Sequence, residues 1–197
     1  MEPLYADRAG AAIKVIAPID TGTVNLETYD PASRTFSHAG RVYVNRTDTL
    51  EHYAREFSRA GIKPVLVSWS IGFTRRAAAM IEMGLVSEPA YFLLNMTDGP
   101  YLTGHPGTPE GLGAHLRFLP GSRRIEWATN IVGGNLLLLA EMTAKLGGHL
   151  APGIGDYAYR ELGCPSNEEV IRRAARTVRA AGREIASPDD ARELLGL

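Results

Sequence analysis

Five short runs of near-continuous apolar residues recur along the chain: AIKVIAPI (12–19), PVLVSW (64–69), YFLLNM (91–96), RIEWAT (124–129) and GHLAPGI (148–154). None alternates apolar with polar positions as a strand with one wet face does. Short unbroken runs rich in branched residues predict strands buried on both faces. Between them the apolar period lengthens to that of a helix. Asp48 and Glu51 predict a capping box before LEHYAREFSRA, which Gly61 and Pro64 close. FTRRAAAMIEMG ends at Gly84, Thr108-Pro109 opens a third helix weakened by Gly111 and Gly113, and NLLLLAEMTAKLGG makes a fourth. Ser166 and Glu169 predict a second capping box before EEVIRRAARTVRAAG, with Gly182 as its C′ residue, and Ser187-Pro188 opens a closing helix, DDARELLG.

Strands alternating with helices at this spacing predict βαβ units and parallel pairing. The class is α/β with about five strands, either an open doubly wound sheet or part of a (β/α)8 barrel. Both architectures bind ligands at the C-terminal ends of their strands. The loops to search are therefore DTGTVNLETYD (20–30), SIG (70–72), TDGPYLTGHPG (97–107), NIVGGN (130–135) and GIGDYAY (153–159).

Composition narrows the picture. A chain of 197 residues, 45% hydrophobic, can bury its own core, so residues 1–197 are read as one domain. A formal net charge of -1 gives no general field for a polyanion, which argues against nucleic acid. The single cysteine, Cys164, has no disulfide partner in the chain and no nearby histidine in sequence, and reads as a small apolar residue in a reducing compartment. MEPLYADRAG lacks a basic segment followed by an apolar one, and IVGGNLLLLA (131–140) falls well short of the roughly 20 residues that span a bilayer. The expectation is a soluble, cytoplasmic protein with no membrane partner.

Several polar groups fall at the expected strand ends. Thr21, Thr23 and Asn25, after Asp20, offer hydroxyls and an amide to a carboxylate or carbonyl oxygen, or else bond the backbone of their own turn. Asn130, Gly133 and Gly134 in NIVGGN resemble a loop-to-helix anion cradle, although close helix–strand packing explains adjacent glycines equally well. Asp156 follows the last run, where Tyr157 and Tyr159 would partly desolvate it and raise its pKa toward general-base range; the other reading is a solvated turn aspartate. His38, His52, His105 and His115 have no metal-ligand spacing and read as surface or packing residues, and His149 starts its strand, away from the ligand end. Arg172, Arg176 and Arg179 read as one solvated helix face.

GGHLAPGIGDYAY, the Ser166-Asn167 helix, GREIA and ARELLGL together resemble the β-keto acid cleavage enzyme family, and the likeness reaches back through WATNIVGGN, YFLLNM, VSW and DTGTVN. The resemblance implies a (β/α)8 barrel of which this chain supplies about strands 4 to 8. It also implies a zinc ion polarising a β-keto acid, and acetyl-CoA as co-substrate in a retro-Claisen cleavage that gives acetoacetate and a new acyl-CoA. Carried over by position, Thr23, Asn25 and Asp156 match the family's site. Gly155 stands where it has a metal-binding glutamate, Ala151 where it has an arginine, and Val67 and Ser70 where it has acids. The chain contains no His-x-His. No metal ligand is therefore assigned and no cofactor is expected from this chain. Two readings follow: a diverged enzyme acting on a keto acid or acyl-CoA through Asp156, or a non-catalytic barrel remnant that assembles with itself or with a partner chain supplying further strands.

Overall fold

In a computed structural model, which describes residues 15–197, the apolar runs form one parallel sheet. The chain runs through β1 (Ile16–Asp20), a polar excursion carrying the short strands β2 (Val24–Asn25), β3 (Thr28–Asp30), β4 (Thr35–Ser37) and β5 (Val42–Tyr43), then α1 (Thr47–Ala60) and β6 (Lys63–Ser68). There follow α2 (Ile71–Glu82), β7 (Ala90–Thr97), α3 (Pro109–Leu116), β8 (Ile125–Val132), α4 (Ala140–Lys145), β9 (His149–Leu150), α5 (Asn167–Ala180) and α6 (Pro188–Leu195). The sheet order is β1-β6-β7-β8-β9, all parallel. Each strand lies beside the next in sequence, which is the winding of a (β/α) barrel segment. A doubly wound sheet instead reverses its order at a switch point. No helix among the described residues is long and apolar enough to cross a membrane.

Strand alternation sorts the sheet's two faces. Ile19, Leu66, Phe92, Leu94, Met96 and Ile131 turn toward the helices and pack with Leu50, Ala77, Met80 and Leu112 in the main core. On the other face Asp20, Val67, Leu93, Ala128 and His149 share one register row, and Asn95 and Asn130 share a row nearer the strands' C-terminal ends. β6 is buried throughout, as its unbroken apolar run predicts. β1 is not: it pairs on one side only, and Ile16 and Pro18 are exposed. Residues 12–14 of the first predicted run lie outside the described residues.

Four local expectations need correction. α1 begins at Thr47 with Arg46 as its N-cap and no capping side chain; Asp48 sits inside the first turn, bonded to Arg46 at 2.7 Å. Ser166 does accept from Glu169 N, but the Glu169 carboxylate is drawn to Arg172 and Arg173 and does not reach back to close a box. The true capping box is at α6, between Ser187 and Asp190. The last run forms only a two-residue strand; Ala151 N still bonds Thr129 O, and the chain then leaves the sheet at Pro152 for a turn over 154–156. NLLLLAEMTAKLGG also divides, into a 3-10 turn at Leu136–Leu138 and the short α4.

Candidate functional site

Parallel winding collects the five strand ends at one edge of the sheet. At the end of β1, Asp20 accepts from Trp69 Nε1 at 2.6 Å and from Tyr43 OH at 3.1 Å. Two strands further on, Asn95 and Asn130 face each other in register, 4% and 8% exposed, and Asn130 Nδ2 donates to Asn95 Oδ1 at 2.9 Å. Two carboxamides buried in otherwise apolar strands are costly to place unless they bond each other or a ligand. Each has hydrogen-bonding capacity beyond this one contact.

Asp156 lies beyond β9, in the turn that follows Pro152. Its main chain is fixed by a bond from Gly133 N to its carbonyl oxygen at 2.9 Å, which ties the β9 turn to the β8 turn. The residue as a whole is exposed, open to an incoming molecule. Its carboxyl nevertheless leans on the protein: burial raises its pKa above the ordinary carboxylate range, and the nearby Asn130 amide partly opposes that rise. The Tyr159 side chain, 1% exposed, stands beside it, with its phenol pKa raised by burial first and then by the Asp156 charge. Tyr157 packs edge-on against Tyr159 with ring centroids 5.2 Å apart. Glu161 braces the same turn, accepting from Tyr157 OH at 2.8 Å and from Asn135 Nδ2 at 2.6 Å.

The remaining predicted residues have other surroundings. Thr21 is fully buried, and its hydroxyl stands 3.1 Å from both Val67 O and Phe73 O, joining the end of β1 to β6 and α2. Thr23 is exposed and exchanges bonds with the Asn45 main chain, and Asn25 is exposed on β2. Gly133 and Gly134 face the protein's own Asp98: a Cβ on Gly134 would fall 2.3 Å from Asp98 Oδ2, and one on Gly133 would fall 2.6 Å from Asp98 O. Asp98 also accepts from Gly107 N at 3.0 Å. An internal carboxylate thus occupies the space in front of the two glycines. Gly133, at φ +81°, additionally needs a left-handed backbone. Gly133→Ala is expected to lower stability by about 2–3 kcal/mol through positive φ and the clash with a main-chain oxygen, as read by urea denaturation.

Asn95 escaped the sequence reading. Its signal was a single amide inside YFLLNM, at the same alternation as Leu93. His149 opens β9 as expected, but its register row, shared with Ala128 and Asp20, puts it mid-sheet and not at the end away from the strand tips, with Nε2 3.0 Å from Glu126.

This arrangement sets a pair of buried amides and one carboxyl of raised pKa at the strand ends. Comparison with known proteins identifies the family. The family model described as beta-keto acid cleavage enzyme matches residues 5–197. A 3-keto-5-aminohexanoate cleavage enzyme of Acetoanaerobium sticklandii is 26% identical over 186 residues, covering 92% of this chain and 62% of that protein. A 3-oxoadipate:acetyl-CoA acetyltransferase of Cupriavidus necator is 26% identical over 190 residues, covering 92% of this chain and 60% of that protein. A 3-dehydrocarnitine:acetyl-CoA trimethylamine transferase of Rhizobium meliloti is 25% identical, covering 97% of this chain and 62% of that protein. The chain thus spans 60–62% of the length of these curated relatives. With a family-model match along nearly all of its length, the chain belongs to the β-keto acid cleavage enzyme family.

Proposed function

We propose that this chain binds a small β-keto acid, or its acyl-CoA counterpart, at the strand ends around Asn95, Asn130 and Asp156. Asp156 acts as the base that removes a proton from the carbon beside the ketone. The observation that carries this reading is the buried Asn95–Asn130 amide pair at the same strand ends as Asp156, a carboxyl whose pKa burial raises. Amides that orient a carbonyl oxygen next to a base of elevated pKa suit enolisation, the chemistry that cleavage beside a ketone requires. Relatives named for acetyl-CoA transfers support acetyl-CoA as co-substrate. Thr23 and Asn25 serve as outer polar anchors, on the strength of their match to the family pattern.

The family's zinc ion fits this chain's own donors poorly. Gly155 and Ala151 stand at the positions of a ligand and an arginine, and among the described residues no three His, Cys, Asp or Glu side chains come together to hold a metal. We therefore place ligand binding and proton transfer on this chain, in the cytoplasm, and assign it no metal-assisted step. Calorimetric titration with acetoacetate tests the reading. Binding is expected in the wild type and about tenfold weaker in Asn130→Ala, the cost of one lost hydrogen bond to a charged ligand. Unchanged affinity in that variant would remove Asn130 from the site.

A second reading rests on the sheet's edges. Five strands do not close an eight-stranded barrel, and among the described residues β1 and β9 each pair on one side only. Beside β9 runs a groove of about 360 Å³ lined by Leu150, Ile171, Val178, Ile185 and Leu194. On this reading the chain corresponds to strands 4 to 8 of a barrel that a second copy or a partner chain completes. Sedimentation equilibrium would return a mass above one chain, and a strictly monomeric species would count against self-assembly.

A further inference from the structure

The loop after β7 folds back over the strand ends as a strap. Thr97 N donates to His105 O at 2.9 Å, Gly104 N to Thr97 Oγ1 at 3.0 Å and His105 N to Trp69 O at 3.1 Å. A Cβ on Gly104 would fall 3.0 Å from both Asn95 O and Trp69 O, so the strap lies directly on the main chain of Asn95. Its outer part holds the polar excursion: Tyr29 N donates to Pro100 O at 2.9 Å and Thr103 Oγ1 to Asn25 O at 2.9 Å. A side chain fixes the strap to α2. Ile71 N, in the first turn of that helix, donates to His105 Nε2 at 3.2 Å.

A main-chain N–H can only donate, so Nε2 must carry its lone pair, and the His105 ring must be neutral with its proton on Nδ1. Protonation sets a second N–H against the first: the bond is lost and two donors face each other. The surroundings offer an imidazolium no compensation. The turn before α2 presents the Trp69 carbonyl to the His105 main chain, β7 presents Thr97, and α3 presents the His115 ring, edge-on with centroids 4.9 Å apart. Arg76 on α2 is turned to Thr21 O, Asp98 to Gly107 N, and the described ion pair made by a histidine is that of His149 with Glu126. Burial keeps the His105 pKa below the ordinary histidine value.

We propose that His105 is a pH-sensitive latch: as the neutral imidazole it pins residues 98–107 across the ends of β6 and β7, and as the imidazolium it lets go of Ile71 and frees the strap from α2. The proton comes from solvent, which the half-buried ring reaches. The acceptor role fixes the sign. The latch is closed at neutral pH and opens as pH falls through a value below the ordinary histidine range, whatever ligand the strand ends take.

Amide hydrogen exchange of the full chain, followed by NMR at pH values on either side of the His105 ring's own titration midpoint, gives the test. Phe92, in the middle of β7, reports opening of the whole fold and serves as the reference. Corrected for the intrinsic pH dependence of exchange, Ile71 is expected to lose at least about tenfold in protection relative to Phe92 on the acid side, as one hydrogen bond is lost. His105→Gln, whose amide oxygen still accepts from Ile71 but does not titrate, should hold that protection at both pH values. Equal protection of Ile71 on both sides, a loss of the same size in His105→Gln, or a ring that stays neutral until Phe92 itself opens would each overturn the latch. If the variant fails to fold, the wild-type comparison still decides.

Discussion

Replacing Asp156 with asparagine is expected to slow deuterium exchange at the α-carbon of a bound β-keto acid by about 10²–10⁴-fold, the range a positioned general base supplies. Asparagine keeps the size of Asp156 but cannot accept the proton. Binding should therefore change far less than exchange. The pH dependence has a defined sign. Burial raises the Asp156 pKa, and the base is the ionised form, so wild-type exchange falls as pH drops through a value above the ordinary carboxylate range. Proton NMR in deuterium oxide, at saturating keto acid and with spontaneous exchange subtracted, reads the rate directly. A variant that exchanges at the wild-type rate would take the base role away from Asp156.

Mild acid is expected to destabilise the fold, and His115 to be responsible. The ring is completely buried, its Nδ1 lies 3.4 Å from Thr74 Oγ1, its Nε2 has no partner, and the His105 ring stands edge-on 4.9 Å away. Burial, and then the nearby His105, lowers its pKa to about 3. In the unfolded chain an ordinary histidine takes up its proton near pH 6.5. Between these values the unfolded state binds more protons than the folded one, so stability falls as pH drops from about 6.5 toward 3 and levels off below. The loss attributable to this ring is about 2 kcal/mol by pH 5 and on the order of 5 kcal/mol when complete. His115→Gln, which retains an acceptor for Thr74, should flatten that part of the slope. Urea midpoints of the two proteins at pH 7 and pH 5 give the comparison, and parallel declines would exonerate His115.

The parts of this fold legible in the sequence are those that local rules determine. Leu66, Phe92, Leu94 and Met96 lie in unbroken apolar runs, and those runs are the central strands. Thr108-Pro109 and Ser187-Pro188 open helices as written, because a hydroxyl at the N-cap and a proline in the first turn need only their own neighbourhood. Of the residues in the proposed site, Asn130 and Asp156 stand out in the sequence, because each falls just where an apolar run gives way to a loop. What stayed hidden depends on register between distant segments. Asn95 and Asn130 meet across 35 positions of sequence, Trp69 reaches Asp20 across 49, and neither span carries a local signal. The glycines of NIVGGN were read with two meanings open. Asp98, from another loop, fills the space before them, a contact no motif encodes. The bond from Ile71 to His105 was invisible for the same reason: a histidine in a Gly/Pro loop reads as a surface residue until α2 is packed beside it.

The claim that a keto acid binds at the strand ends through the Asn95–Asn130 pair is tested most directly by nitrogen-15 NMR of those two side-chain amides during titration with acetoacetate. The account predicts that both amide signals move together with the Gly133 main-chain signal and saturate at one common affinity. Amide signals that stay fixed while the ligand binds elsewhere, or that show no response at any concentration, would contradict it.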